Sequence, residues 1–589
     1  MTTGSGASGE RDEPSPQKTG QSNGNGSPAS VRPAAPAAPV AAAAQGADGA
    51  VDMSGCDLSG ANLNAAKLPA VRLAGANLRA IKLERALLAR ADLSQASAHQ
   101  ARLGGADLRG AKLAGCSLRY ADLRNAIFEG ANFEGADLRR CQLSEADLSA
   151  ATGLGKARLD GADLAGAKLA GADLAGGGLS FARLRGAVLD RAHLEGADLE
   201  GADLEGASLA EATLTAANLG QANLVGVQAE RAVLDRARAP EIRLARASLR
   251  GANLSAADLE EADLTGASLR EAVLKNAKLK GASLRGADLG GARLEGAQLA
   301  EAQLDGAKLA GANLTGAQLG GALLENADLS GACLRDANLQ GARLLGADLR
   351  GADLRGANLE RTDLRHVLNV QHSLLEGAQL SGANLAGASL AGANLKGADL
   401  TESVITRASL AECNLAGAKL VGADLSGSTL RGANLEDADL GSAMLRDVRE
   451  LSSARLRGCN LARADLSGAG LCGCENLGTA RDLGRVVLRG ADLRQAKLVK
   501  ARLERADLFG ADLYEADLTG ADLRGANLER CDLWRAKLAG ATLAEAKLDG
   551  ANLREAALRG VDLTGATLED ASFDGADLTE AKGELPASW

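Results

Sequence analysis

From Cys56 to about Ala581 the chain repeats every five residues: a small residue, a polar one, Leu, a variable one, then often Gly. No other feature restricts the fold as tightly. Taking each Leu as the centre of a unit, centres fall every five residues along Leu58–Leu148, Leu154–Leu364, Leu375–Leu445, Leu456–Leu471 and Leu488–Leu578, with Leu477 and Leu483 between the last two runs. These make 102 centres, and only Ala98, Phe128, Phe133, Ala229, Ala239, Ile405 and Phe573 among them are not Leu.

A period of five excludes an amphipathic helix. Five residues advance a helix about 140° beyond a full turn, so successive Leu would scatter around its axis. In an extended chain the small residue and the Leu are two apart and share one side. The next two residues can turn a corner, where Gly is tolerated. A chain that repeats this path is a coil, and coils stacked by parallel ladder bonds form a solenoid with Leu on Leu and Ala on Ala inside. Each buried Leu contributes roughly 1.5–3 kcal/mol against the ordering entropy of its unit. The number of faces per coil does not follow from this reasoning.

Composition supports a solenoid over the three to five or so globular domains that 589 residues suggest. Gly numbers 74 and aromatic residues make up 2%, which leaves few rings for globular cores or an enzyme pocket. Four His argue against a His-rich metal or acid–base site. The net charge of −10, from 66 basic and 76 acidic residues, defines no nucleic-acid or membrane partner by itself. The longest apolar run, Val40–Ala44, is too short to span a bilayer.

The A-[DN]-L-x-x pattern, as in GADLRGADLRGANLE from Gly346 to Glu360, resembles the pentapeptide-repeat family over roughly residues 56–582. The resemblance implies an all-β fold, a right-handed quadrilateral parallel β-helix. With four faces per coil, the span from Leu58 to Leu578 holds about 104 faces, or about 26 coils stacked over roughly 125 Å. Residues 51–582 are expected to form one continuous tube. Its interruptions add only single residues, read as bulged faces near 149–153, 365–374, 446–455 and 472–487. Residues 1–50, rich in Gly, Ser, Pro and Ala, are expected to be a disordered tail, and 583–589 a tail or cap. No obvious cap precedes Cys56, and Pro33–Ala44 lacks the apolar core of an export signal, so the expected location is cytoplasmic.

Candidate sites are few. Cys56, Cys116, Cys141, Cys413, Cys459 and Cys531 stand two before a centre, where Cys serves as a small buried filler. Cys472 and Cys474 form a CxC without a second pair, and His99, His193, His366 and His372 lie in no metal or catalytic context. Gly153-Leu154-Gly155-Lys156 lacks the spacing of a phosphate loop. With twenty residues per coil, Asp492, Asp512, Asp532 and Asn552 stack in one column, most simply as hydrogen-bonded turn residues. The expectation is therefore no catalytic residue, no metal and no cofactor.

One surface group stands out. Arg494, Tyr514, Trp534 and Arg554 follow centres at twenty-residue spacing, so a four-faced coil sets two rings between two guanidinium groups. Phe509 lies one face away. Tyr, Trp and Arg are the residues enriched in binding hot spots. The expected function is a non-enzymatic scaffold or protein-interaction rod with a protein partner. No direct nucleic-acid binding and no membrane are expected. The resemblance also implies two things seen in some members: pairing through carboxy-terminal coils into a homodimer, and mimicry of a DNA duplex toward type II topoisomerases such as gyrase. Mimicry needs acidic faces. Glu195, Asp198, Glu200, Asp203, Glu205 and Glu211 form one acidic stretch, whereas Arg335, Arg343, Arg350 and Arg355 are interleaved with acids elsewhere.

Overall fold

The computed structural model describes residues 44–45 and 51–584. The expectations for the tail 1–50 and for a cap at 583–589 fall mostly outside these residues. Within them, Asp57 bridges Asn77, Asn62 bridges Lys82, Lys67 bridges Leu87 and Arg72 bridges Asp92, all in parallel. Four successive pentapeptides thus each meet the pentapeptide twenty residues on, and the coil has four faces. We label them A to D after the units centred on Leu58, Leu63, Leu68 and Leu73. The handedness expected of such coils also matches the general crossover preference.

The backbone accounts for the pattern residue by residue. In the unit Cys56–Gly60, Leu58 N–H donates to Asn77 O (2.8 Å) and Gly60 N–H to Arg79 O (2.8 Å), while Asn77 N–H donates back to Cys56 O (2.9 Å). Ala61 N–H closes the corner on Leu58 O (3.1 Å). One donor remains, the N–H just after each centre, and the polar residue two before it accepts that bond: Ser59 N–H donates to Asp57 Oδ1 (3.0 Å), and the same pair recurs at Thr265 and Asp263 (3.0 Å) and at Glu360 and Asn358 (2.9 Å). Asp and Asn fill the polar slot because their short side chains reach this donor. Pro69 and Pro240, the two prolines of the repeats, both occupy the slot whose N–H the ladder does not use.

The corner residue two after each centre has φ near +60°. Gly351 sits there at φ 68°, yet Arg, Glu and Asn occupy many equivalent corners, as at Arg90 (φ 58°) and Glu301 (φ 60°). The inward slots pack solid. Leu at the centres and Ala two before them are almost all under 3% exposed. Where the centre shrinks to Ala229, the slot beside it grows to Val227, and Ala239 is followed by Ile242, all buried, so interior volume is kept. Phe128 and Phe133, on neighbouring faces of one coil, meet at 5.4 Å. Buried Ser403 and Thr362 return their hydroxyls to Leu400 O (2.7 Å) and Leu359 O (2.6 Å).

Extra residues are absorbed by short 3-10 turns at Leu154–Lys156, Val370–His372, Leu451–Ser453 and Leu477–Thr479, each burying its first residue. Val370 and Leu451 thereby fill the two faces that have no recognisable centre in the sequence. The bridge spacing stretches from 20 to 21 residues between Asn132↔Thr152 and Asp137↔Arg158, and reaches 22 at Asn460↔Asp482. The second extra residue there is a bulge: Arg481 N–H donates to Cys459 O (2.7 Å), and Arg481 stands exposed in a slot that is otherwise small and buried. At the amino-terminal end, strand β1 (Ala44–Gln45) pairs antiparallel with β2 (Val51–Asp52), while Asp52 bridges Arg72 on its other side. That pairing covers one edge of the ladder, a cap not apparent in the sequence.

Candidate interaction surface

A filled interior leaves chemistry to the outward slots, and the coil geometry decides which of them meet. The bridges Asp492↔Asp512, Asp512↔Asp532 and Asp532↔Asn552 put Arg494, Tyr514, Trp534 and Arg554 in one column on face C. The turn bond just described fixes each backbone: Tyr514 N–H donates to Asp512 Oδ1 and Trp534 N–H to Asp532 Oδ1, both at 3.1 Å. The two rings meet at 5.3 Å between centroids, tilted by 59°, with Trp534 36% exposed and Tyr514 half-buried.

The guanidinium groups lie elsewhere than the column spacing suggests. Arg494 turns onto Asp492 with two bonds of 2.8 Å and lies 3.6 Å from Asp512. Arg554 pairs with Asp574 (3.0 Å) and Ser572 Oγ (3.1 Å). A long flexible side chain finds the nearest carboxylate before it finds a ring. The cation over the indole is Arg535, from the adjacent corner slot, 4.9 Å from the ring centroid and tied to Glu555 (2.8 Å). The neighbouring Glu515 carboxylate raises the pKa of the Tyr514 phenol. Within this group it is Phe509 on face B that has two guanidinium groups over its ring, Arg489 (5.5 Å) and Arg530 (5.7 Å). Arg494 and Asn552, whose amide donates to Asp532 Oδ1 (2.9 Å), relieve the stacked carboxylates. Among the described residues no group of His, Cys, Asp and Glu is placed to hold a metal ion.

A second aromatic cluster forms only through the coil geometry. On face A, Tyr120 is 40% exposed, with His99 edge-on at 5.4 Å and the Arg119 and Arg140 guanidinium groups at 6.0 and 5.9 Å. Arg140 donates to the Tyr120 hydroxyl (3.2 Å). The twenty-residue step from Tyr120 to Arg140 is the signal that marks it once the coil length is known. Other candidates resolve plainly. Lys156 of the Gly-Leu-Gly-Lys segment is paired with Glu134 (2.7 Å). His193 lies exposed, 3.5 Å from Glu195. The acidic stretch 195–211 winds round one coil: Glu195 on face D, Asp198 and Glu200 on A, Asp203 and Glu205 on B, Glu211 on C. Arg185 engages Asp203 and Glu205 (2.6 Å each), and Arg191 engages Glu211 (3.0 Å).

Of the small-slot cysteines, Cys116, Cys141, Cys413, Cys459 and Cys531 are buried, and burial pushes Cys116, Cys413, Cys459 and Cys531 up to about 12. Cys56 departs from that expectation and is exposed, because it belongs to the first coil and only one side of it is covered. The native chain should therefore show two fast thiols in an Ellman titration, Cys56 and Cys472, with Cys333 slower and the others silent until denaturation. Rapid reaction of Cys116 or Cys531 in the native chain would contradict this packing.

The family model for pentapeptide repeats (8 copies) matches residues 50–152, 154–402, 408–447, 450–475 and 487–582. A search of curated protein sequences finds no match. Among solved structures the chain is similar to HetL, a pentapeptide repeat protein involved in heterocyst differentiation regulation from the cyanobacterium Nostoc sp. strain PCC 7120, at 32% identity over 43% of this chain and 90% of that one, with a TM-score of 0.19. It is similar to Rfr23, a pentapeptide repeat protein from the cyanobacterium Cyanothece 51142, at 34% identity over 18% and 64% of the two chains (TM-score 0.11). It is also similar to full-length QnrB1, a plasmid-mediated fluoroquinolone resistance protein, at 21% identity over 36% and 95% (TM-score 0.14). At these TM-scores none of the three alignments bears on what this chain does.

Proposed function

The chain belongs to the pentapeptide-repeat family, and from that premise we propose that its right-handed β-helix is a non-enzymatic rod for protein–protein interaction. We further propose that the rod docks a protein partner through Arg494, Phe509, Tyr514, Trp534 and Arg554, joined by Arg535. The observation that carries this reading is the exposed Trp534 packed at a tilt against Tyr514 and held under Arg535. Such a group offers a large rigid contact area at little entropic cost, as hot-spot residues do. The solid Leu and Ala interior favours an outer-surface role over an enclosed substrate site.

Self-association through the carboxy-terminal coils belongs to the same proposal, since Leu568 and Leu578 of the last coil are only partly covered. No helix among the described residues is long and apolar enough to cross a membrane, and the buried, unpaired thiols favour a cytoplasmic setting. The winding of the acids at 195–211 round a coil favours this reading over mimicry of a DNA duplex, whose charges run along its length.

The test is sedimentation and partner capture with the full chain and its Tyr514→Ala, Trp534→Ala variant. Loss of a hot-spot pair should weaken capture or self-association about 30-fold or more, which corresponds to about 2 kcal/mol. Unchanged capture and unchanged sedimentation would remove the surface. A gyrase supercoiling arm should show no inhibition and no relief from a quinolone; inhibition would restore the mimicry reading.

A further inference from the structure

Most corner slots along the tube hold Gly, and on two corners charges alternate in sign from coil to coil. Arg191, Glu211 and Arg231 follow one another on one corner with ion pairs of 3.0 and 3.8 Å, and Glu515, Arg535 and Glu555 do so on another at 3.9 and 2.8 Å. On the corner after face A, opposite the Trp534 face, the alternation fails. Arg463, Arg485 and Arg505 occupy three successive coils there. Their backbones are in register: Arg463 N–H donates to Gly484 O (3.1 Å), Arg485 N–H to Glu504 O (2.8 Å) and Arg505 N–H to Arg524 O (2.8 Å). All three are exposed, at φ 63°, 59° and 56°. None of them has an ion-pair partner among the described residues. No other corner column among the described residues sets three like charges in succession.

The surroundings compensate this charge only in part. Arg502 and Arg524 line the same recess of about 530 Å³, whose floor at Ala462 and Gly484 carries almost no side chain. Three carboxylates line it against five arginines: Asp482 accepts Gly484 N–H (2.8 Å), Asp522 pairs with Arg524 (2.7 Å), and Glu504 lies 3.8 Å from Arg524. Between residues 449 and 505 the chain carries twelve Lys and Arg against six Asp and Glu, although the whole chain has a net charge of −10.

We propose that this arginine corner is a groove for a linear polyphosphate anion. Arginines rooted one coil apart, on backbones about 4.8 Å from one another, repel unless an anion runs along them. Their planar forks accept phosphate oxygens in pairs. No aromatic ring lines the recess, so nothing there stacks nucleobases as single-strand nucleic-acid grooves do. An extended acidic peptide offers same-side carboxylates about 6.8 Å apart, out of step with the coil rise. A chain of phosphates carries charge more densely than one per coil and so finds register anywhere along the column.

The test measures binding of end-labelled inorganic polyphosphate to the full chain by fluorescence anisotropy at about 50 mM salt and above. The variant Arg463→Ser, Arg485→Ser, Arg505→Ser is compared with Arg246→Ser, Arg361→Ser, Arg407→Ser, which removes equal charge from isolated corners; circular dichroism checks that both fold. The ladder variant should bind at least about tenfold more weakly with a shallower salt slope, and the control should stay within about twofold of the parent. Absence of polyphosphate binding by the parent, or equal loss in the control, overturns the proposal. So does binding of a single-stranded oligonucleotide or poly-glutamate as tight as polyphosphate through the same arginines, which would reassign the partner.

Discussion

Asn313→Pro should divide the tube into two separately protected halves. Asn313 N–H donates to Ala292 O (2.8 Å) in the parallel ladder, and proline removes that donor from the middle of a sheet. The expected local cost is about 3 kcal/mol or more. In a solenoid each coil contacts only its neighbours, so the damage stays where it is made instead of unfolding the whole. Two residues on, Thr315→Pro should cost under about 1 kcal/mol, because Thr315 N–H is spent only on Asn313 Oδ1 (3.1 Å) and the slot is the one that already holds Pro69 and Pro240. Limited proteolysis and hydrogen exchange read the contrast. Asn313→Pro should open a cleavage site within a coil of the substitution and release two resistant fragments, while Thr315→Pro should digest like the parent. Equal behaviour of the two variants would show that the ladder does not carry the stability.

Acid should weaken the whole tube over a narrow range. At Asp57, Asp107, Asp122, Asp147, Asp363, Asp492 and Asp522 the carboxyl is held below its ordinary value, first by the side chain two residues on, with burial opposing and the backbone N–H of that same residue adding to the effect. A carboxyl depressed in the folded state stabilises fully above the unfolded value, near 3.9, and that contribution is lost as pH falls through the lower folded value. Each turn contributes little, but the same turn recurs along every face. The melting temperature should be flat from about pH 7 to 5 and fall by more than about 10 °C between about pH 4 and 2.5. A Tm that holds constant to pH 2.5 would mean that the turn carboxylates contribute nothing in their charged form.

The carboxylate turns show how far the sequence could be read. Asp and Asn before each Leu were legible as turn residues, because the donor they serve is two residues away in the chain. Tyr514 and Trp534 were legible as neighbours once four faces were assumed, since both hold the same slot of successive coils. The role of Arg535 was not legible: it comes from the adjacent corner slot, and competition among Asp492, Glu555, Asp574 and the rings decides where each guanidinium settles. The same competition left Arg463, Arg485 and Arg505 without partners, which no pairwise spacing in the sequence announces because the extra residues near 477–482 shift the register.

The five-residue period alone settled the local path of this chain: two inward residues, a corner, and a core of Leu and Ala. Those choices depend on groups at most a few residues apart, so every unit repeats them. Four units to a coil came with the family resemblance and not from the period; only the tertiary structure decided that Val370 and Leu451 supply the missing centres and which charges meet across coils. Closure and cross-coil pairing join residues twenty or more apart, and there the summed geometry of all the corners, rather than any one pentapeptide, sets what touches what.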